Sequence, residues 1–541
     1  MILIEYWGLI IYEQQQTIIS IPYPLFPIPY PLSPIPYSLI MKPCILLTTE
    51  GTYPFLGGGV STWCHELTQQ MPEVDFKILA IVANPYLSQQ YPLSANVTQV
   101  IKVPLWGMED PIEYGWRFPF SRALKSKIAT TGGTIDRQFI PLFERLLTGI
   151  LAPERLDIET LGQTFVDIHE YFLRYDYHKT MMSIEVWESF QKLIVTGWQS
   201  QIKPDRITIG EITETLKLLY RLLIPLHVPI PPVDLIHSSS ASYCGLPGVI
   251  GKIKYGIPYL LTEHGINIRE QYLNLRTGIP SIFVRRFLHY LASAVVKLNY
   301  HFADLVSPVC TYNTRWEQWW DVPPAKIKII YNGADPEKFK PQNYPPNSHP
   351  VVMNMGLIFA LKGQLNLIEA AAIVRDKFPD VEFRLYGKPS DLDYFARCQE
   401  KVKEHKLENT VNFAGFTNEP WRVYSEADIV AMSSISEGFP YAVIEAMLCE
   451  AAIVSTDVGG VGEALGDTGL LVPASQPIAL AEAIIQLLSL TRAERIALGQ
   501  KSRQRGLDLF TQKKCIQTYL DTYRQLIRQS RISELRIAEK I

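Results

Sequence analysis

Residues 434–447 read SISEGFPYAVIEAM, and residues 449–465 continue as CEAAIVSTDVGGVGEAL. The first stretch carries two glutamates, Glu437 and Glu445, with seven residues between them, one in a glycine-bearing loop and the other on an apolar-patterned segment. The spacing predicts a helix from about Tyr441, with Val443, Ile444 and Met447 on an apolar stripe and Glu445 about one turn in, within reach of the loop that holds Glu437. Two carboxylates then face one cleft. Carboxylates accept hydrogen bonds from vicinal hydroxyls, which suits a ligand with a ribose at one end and a hexose at the other. The plainer reading makes one glutamate a helix-start residue favoured by the dipole and the other a solvated surface group. A lone pair at this spacing leaves that reading ahead. The run that follows adds a short strand, IVST, and a glycine loop, VGG.

The same alternation extends outward. VVMNMGLIFALKGQLNLIEAAAIV (351–374) reads as strand, glycine turn and helix, and FRLYGK (383–388) and VNFAGF (411–416) as further strands. Alternating strands and helices imply a doubly wound parallel sheet over 341–510. Residues 478–530 are helix-patterned. Upstream, HFADLVSPVCTYNTRWEQWW (301–320) gives a strand and a helix, and IKIIYNGADPEKFKPQNYPPNSHP (327–350) turns from a strand into a proline-rich polar stretch, with Asn332 and Gly333 as the turn signal between domains.

The first domain, 42–340, opens with CILLTTE (44–50), an apolar run bounded by turn residues as a buried parallel strand is, and passes through Gly57, Gly58 and Gly59 into a helix. Val60, Trp63, Cys64, Leu67 and Met71 recur at helical spacing, and Ser61 or Gly59 can cap its start. The glycines let backbone N–H groups approach a ligand, and the helix start suits phosphate; three glycines can equally be a flexible turn. FKILAIVANP (76–85) and VDLIHSSS (233–240) hold further strands, and a helical, leucine-rich insertion fills about 105–225. GIPYLLTEHG (256–265) puts His264 at the end of a buried strand, where open parallel sheets present ligand contacts. Arg269 and Glu270 follow in the loop, to acceptor, to diphosphate, or as a solvated pair. His237, at the end of another strand, is expected to line the cleft.

Together, residues 434–465 resemble the signature of retaining GT-B glycosyltransferases of family 4. EGTYPFLGGGVSTW (50–63), the helical insertion and TEHGINIRE (262–270) look like its PelF-like subgroup, whose members make bacterial exopolysaccharide from a UDP-sugar. The resemblance implies two Rossmann-like domains facing a cleft, a hinge near Asn332, and a last helix, within 511–541, crossing back to the first domain. It also implies a metal-independent hexosyltransferase that takes a nucleotide diphosphate sugar as donor substrate and needs no cofactor. The roles it implies are a sugar clamp at Glu437, a ribose clamp at Glu445, a donor-sugar contact at His264 and a diphosphate contact at Lys362. Gly58, Gly59, Gly356, Gly363, Gly438, Phe439 and Pro440 complete its donor site, and Arg269 is carried as an acceptor or phosphate contact.

Two positions depart from the family pattern. Leu357 stands where the family has the arginine that grips the diphosphate, and leucine cannot supply its charge-assisted bonds. Lys388, Arg269 and Lys254 are candidates to replace it. The family's Cys-Gly-x-Pro reads Cys449, Glu450, Ala451, Ala452, so a local change in that turn is expected with the fold kept.

Composition bounds the rest. A chain of 541 residues fits two large domains with an insertion. The net charge of −3 without a polybasic run lacks the footprint of a nucleic-acid binder. Seven cysteines scattered without a CxxC pair argue against a zinc site or disulfide framework and fit a reducing cytosol. Asp391 and Asp393, a DxD pair in a polar loop, are read as surface rather than metal ligands. No apolar run is long enough for a spanning helix, so membrane association would come through partners such as polysaccharide-export proteins, at the inner membrane face. Residues 21–40, IPYPLFPIPYPLSPIPYSLI, repeat a proline-rich heptad that fits no packed domain, and translation is expected to start at Met41; a docking peptide is the other reading. The competing function is a catalytically impaired scaffold that binds nucleotide or glycan in a polysaccharide assembly. A related epimerase would need a catalytic carboxylate cluster that the sequence does not offer.

Overall fold

The computed structural model describes residues 42–106, 119–152, 155, 157–198, 207–279 and 281–538. The proline-rich repeat and the expected start at Met41 lie outside the described residues.

The first sheet contains β1 (Cys44–Glu50), β2 (Asp75–Val82), β3 (Val97–Pro104), β4 (Leu235–Ser238), β5 (Tyr259–Glu263) and β6 (Leu305–Pro308), in the order β3-β2-β1-β4-β5-β6. The second contains β7 (Val351–Met355), β8 (Glu382–Tyr386), β9 (Val411–Gly415), β10 (Ile429–Met432), β11 (Ile453–Thr456) and β12 (Leu470–Val472), in the order β12-β11-β10-β7-β8-β9. All pairings are parallel. Helices cover both faces, so the central strands are short apolar runs. β3 escaped the sequence patterns for the converse reason: as an edge strand it is partly exposed over its first half. Residues 327–333 do not form the expected strand. They run extended beside β6, with Lys328 N donating to Val306 O and Ile330 N to Pro308 O. In each sheet the winding reverses at its first strand, between β1 and β4 and between β7 and β10. Open parallel sheets hold ligands at the carboxyl ends of strands beside such a reversal.

Helix α1 (Gly59–Gln70) follows β1. Gly58 occupies its N-cap with no side-chain cap, and Ser61 lies buried inside the helix, so neither expected cap is used. The insertion holds α2 (Phe120–Ala129), α3 (Gly132–Thr134), α4 (Ile140–Leu151), α5 (Ile158–Phe172), α6 (Tyr177–Met181), α7 (Ile184–Leu193) and α8 (Ile209–Leu222). Asp157, Asp176, Ser183 and Thr208 cap α5 to α8 by accepting from a backbone N–H in the first turn, each worth about 0.5–2 kcal/mol. Between them α4, α5 and α7 bury Phe143, Leu147, Phe165, Ile168 and Phe190 in the core that reaches the first sheet.

The first domain closes with α9 (Leu246–Tyr255), α10 (Asn267–Gly278), α11 (Ile282–Phe302) and α12 (Thr311–Trp319). The second carries α13 (Gln364–Lys377), α14 (Leu392–Glu404), α15 (Pro420–Glu426), α16 (Tyr441–Leu448), α17 (Val461–Leu465), α18 (Pro477–Ser489) and α19 (Arg492–Leu509). Asp391 caps α14, accepting from Tyr394 N at 2.9 Å. The turn after α16 keeps a left-handed residue, Glu450 at φ 60°, in the conformation a glycine would favour. A Cβ on Gly499 of α19 would stand 2.0 Å from Glu450 O, so the helix backbone presses directly on that turn.

The chain crosses between the sheets twice, and the crossings are paired. Ala334 N donates to Phe510 O at 3.0 Å and Gln512 N to Ala334 O at 2.9 Å. α20 (Gln512–Ala538) then lies against the first domain, where Cys515, Ile516, Tyr519, Leu520 and Tyr523 share a core with Ile45, Trp63 and Leu260.

Candidate functional site

A cavity of about 360 Å³ lies at the carboxyl ends of β1, β4, β5, β7 and β10. The first domain contributes Glu50 from the end of β1, Ser239, Ser240 and Ser242 after β4, and the segment His264 to Glu270 after β5; the second contributes Phe359, Leu361, Lys362, Ser436, Glu437 and Gly438. The loop after each strand at the winding reversal therefore supplies a wall.

Lys362 and Glu437 face each other as an ion pair, Nζ to Oε1 at 2.5 Å, and Ser434 Oγ donates to the same oxygen at 2.6 Å. The ammonium is thus held by a carboxylate and by the turn that precedes α13. Gly363 makes that turn possible. Its φ is 65°, and a Cβ there would meet Ser433 O at 2.1 Å. Opposite, His264 lines the cavity with Nε2 buried and, among the described residues, without a hydrogen-bond partner, its ring 4.5 Å from that of Trp63. Burial depresses its pKa to about 3, so the imidazole is neutral at physiological pH. The two domains touch here. A Cβ on Gly438 would overlap His264 O at 1.7 Å, and Arg269 Nη1 donates to Ser436 Oγ.

Of the other residues singled out from the sequence, Gly58 and Gly59 sit at the start of α1, with Tyr441 3.7 Å from where a Gly59 Cβ would be. Gly356 follows β7, a hypothetical Cβ 3.6 Å from the Lys362 stem. Pro440 precedes α16, whose start at Tyr441 is as expected. The Phe439 ring is a core group between Tyr331 and Phe510, and its carbonyl accepts from Asn332 Nδ2 at 2.9 Å. Glu445 stands outside the cavity walls. It accepts from Tyr424 OH at 3.1 Å, and burial raises its pKa to about 7 despite that bond and the charge of Lys338.

The neighbour of Glu445 is Glu66 of α1, a residue the sequence did not signal. Burial, and then the Glu445 charge, push Glu66 to about 8 against bonds from Gln512 and Tyr441. His237 does not line the cavity. It is sealed in the core, Nδ1 2.7 Å from Tyr523 OH on α20 and Nε2 2.8 Å from Thr262 Oγ1.

Leu357 is 40 % exposed. Of the three candidate replacements for its missing charge, Lys254 pairs with Glu170 at 3.0 Å, outside the cavity walls. Lys388 follows β8 beside Leu357: its carbonyl accepts from Ile358 N at 3.0 Å, while its ammonium rests over the Phe416 ring at 4.7 Å. Arg269 alone of the three lines the cavity.

A second polar group underlies the first-domain wall. Glu263 accepts from Tyr300 OH at 2.5 Å and from Ala241 N at 3.2 Å, and burial lifts it to about 7. Glu317 of α12 is fully buried with neither oxygen hydrogen-bonded among the described residues, and desolvation, with the Glu263 charge second, lifts it to about 9. One turn earlier Asn313 lines the cavity, its Nδ2 likewise without a partner among the described residues. Glu50 and the serines after β4 were findable by the strand-end rule that found His264. Glu317 and Asn313 sit inside a helix, where nothing in the pattern marks them.

Comparison with known proteins agrees with this architecture. A family model described as "Domain of unknown function (DUF3492)" matches residues 43–322, and one described as "Glycosyl transferases group 1" matches residues 335–505. D-inositol 3-phosphate glycosyltransferase of Corynebacterium urealyticum is 32 % identical over 207 residues, covering 35 % of this chain and 49 % of that protein. Alpha-maltose-1-phosphate synthase of Mycolicibacterium smegmatis is 26 % identical over 312 residues, covering 52 % and 77 %. The match thus spans about half the length of the first relative and about three quarters of the second. Among solved structures, sucrose-phosphate synthase from Thermosynechococcus elongatus superposes with a TM-score of 0.57 at 18 % identity, over 90 % of this chain and all of that one. Anabaena Alr3699/HepE, solved with UDP and glucose, superposes with a TM-score of 0.53 at 17 % identity, over 89 % and 99 %. These likenesses carry the GT-B fold. With more than half of its 541 residues matched by the first model, the chain belongs to the DUF3492 family and joins to it a glycosyl transferases group 1 domain.

Proposed function

We propose that the protein is a retaining, metal-independent glycosyltransferase moving a hexose from a UDP-linked sugar to a growing glycan of the exopolysaccharide kind, as the PelF-like resemblance implies. The observation that carries the reading is the Lys362–Glu437 pair at the reversal point of one sheet, facing neutral His264 at the end of β5 in the other. In this reading the diphosphate draws the Lys362 ammonium away from Glu437, and the freed carboxylate takes hydroxyls of the sugar. Glu445 holds the ribose, in its ionised form. His264 Nε2, which has no hydrogen-bond partner among the described residues, bonds a sugar hydroxyl. As the sugar–phosphate bond breaks, Lys362 and the start of α13 stabilise the departing diphosphate. A donor phosphate oxygen takes the proton of the acceptor hydroxyl as the new bond forms on the same face.

The test is a panel of nucleotide sugars scored by thermal shift and by transfer to oligosaccharide acceptors. Stabilisation by a UDP-sugar together with transfer supports the reading. Lys362→Ala is expected to lower kcat/KM by about 10–100-fold, the scale of a lost charge-assisted bond. Absence of transfer with every donor, unrelieved by Leu357→Arg, overturns it. One observation favours a second reading: among the described residues Lys362 is the one cation lining the second-domain wall, already paired with Glu437, which suits a scaffold that binds a sugar nucleotide without turning it over. Donor-dependent stabilisation without turnover would select it.

A further inference from the structure

The cavity between the sheets has two unlike walls. The sugar-transfer reading occupies Lys362, Glu437 and His264, which leaves a first-domain side where Glu50, Ser239, Ser242, Glu270, Asn313 and Trp316 face the same space. Asn313 stands out. It is 2 % exposed, and its Nδ2 has no hydrogen-bond partner among the described residues. A buried amide donor in that state carries its desolvation cost unrelieved, so one that lines a cavity is set for an acceptor atom that a ligand brings. Trp316 lines the cavity three positions further along α12, the spacing of neighbours on one helix face. The indole is half-buried and packs against the first-domain core, which fixes its plane. A rigid aromatic surface beside a directed amide matches a pyranose ring, which offers a face of C–H groups and, at its edge, hydroxyl oxygens that accept hydrogen bonds.

The charge of this wall narrows the class of sugar. Among the described residues it presents two carboxyls, Glu50 and Glu270, and one cation, Arg269. The cation is already engaged. Its Nη1 donates to Ser436 Oγ, and its charge acts on Glu270, whose pKa it holds down against burial. Arg315, beside Trp316, is not a wall of the cavity; its guanidinium lies over the Tyr312 ring at 3.7 Å. Burial raises the pKa of both Glu50 and Glu270, so this side already disfavours negative charge. A phosphate or uronate placed there meets two carboxyls and, among the described residues, no uncommitted cation. An uncharged sugar meets only hydrogen-bonding groups and an aromatic plane.

We propose that the acceptor is an uncharged glycan whose terminal pyranose stacks on Trp316 and takes a hydrogen bond from Asn313 Nδ2, with Glu50 and Glu270 excluding phosphorylated and uronate sugars. The assignment rests on the sugar-transfer reading and names the acceptor class that reading leaves open.

Calorimetric titration of the full chain with trisaccharides, in the presence of UDP, tests it. Maltotriose, cellotriose and tri-N-acetylchitotriose are compared with trigalacturonate and a 6-phosphorylated maltotriose. At least one neutral sugar is expected to bind tenfold or more tightly than either anionic one. Asn313→Ala, and Trp316→Leu, which keeps apolar bulk against the core, should each weaken that binding about tenfold while the rise in melting temperature given by UDP stays unchanged. Glu270→Gln should improve binding of the anionic sugars at least threefold and leave the neutral sugar within twofold. Equal or tighter binding of an anionic sugar overturns the assignment, as does absence of binding by all five, binding that both the Asn313 and Trp316 variants leave intact, or discrimination that Glu270→Gln does not alter. The nucleotide arm separates the two readings. No stabilisation by UDP or a UDP-sugar fails the sugar-transfer reading and this assignment with it, whereas stabilisation without neutral-sugar binding fails this assignment alone.

Discussion

At the scale of single residues, the least expected group is Glu317, a buried carboxyl beside the cavity wall with neither oxygen hydrogen-bonded among the described residues. Its folded pKa, about 9, lies above the ordinary 4.5. Between those values the folded chain keeps a proton that the unfolded chain has released, so stability falls as pH rises through the window. Glu317→Gln preserves the shape without the proton, and its melting temperature should fall less between pH 5 and pH 9 than that of the parent; parallel curves would refute the assignment. Leu357 gives the second prediction at this scale. An arginine there would add bidentate phosphate contacts, and Leu357→Arg is expected to tighten nucleotide-sugar affinity about tenfold or more in a titration. His264 and Glu437 were singled out by their strand-end and loop positions and Lys362 by the family resemblance, and all three line the cavity. Glu66 was not, because its meaning comes from Glu445, 379 positions later in the chain and adjacent only once α1 and α16 have met.

At the scale of elements, apolar runs located β1, β2, β4 to β9 and β11 and the helix from Tyr441, while β3, an edge strand exposed over its first half, and the short strands β10 and β12 were not named. His237 shows the same limit. Its place at the end of β4 suggested a cleft, but α20 covers that side of the sheet and takes the ring into a buried pair of hydrogen bonds. The turn after α16 holds a non-glycine residue, Glu450, at φ 60°. A non-glycine residue in the left-handed region costs about 1–2 kcal/mol. Glu450→Gly relieves that cost against about 0.5–1 kcal/mol of added freedom in the unfolded chain. A net gain of up to about 1 kcal/mol in denaturant melts is expected, reduced by whatever the loose Arg503 contact at 3.8 Å contributes.

At the scale of the whole molecule, the first domain is completed by residues from the far end of the chain. Ile516, Tyr519, Leu520, Tyr523 and Leu526 of α20 are buried against it. At about 1.5–3 kcal/mol each, their burial is of the same order as the net stability of a typical domain, about 5–15 kcal/mol. Truncation at Thr511 should therefore yield a chain whose second domain melts as before while the first loses its cooperative transition in calorimetry. Two independent transitions, both unchanged, would count against the helix as a core element.

The paired crossings at Ala334 and Thr511 make each half the keeper of something the other lacks. Divided within 341–350, the protein would become two fragments of unequal need: residues 42–341 with an open groove along β1 and α1, and residues 351–541 carrying the helix that fills it. Mixed together, they are complementary parts. The second fragment would act as a folding template for the first, so the molecule is built as a split protein whose reassembly is written into its last helix.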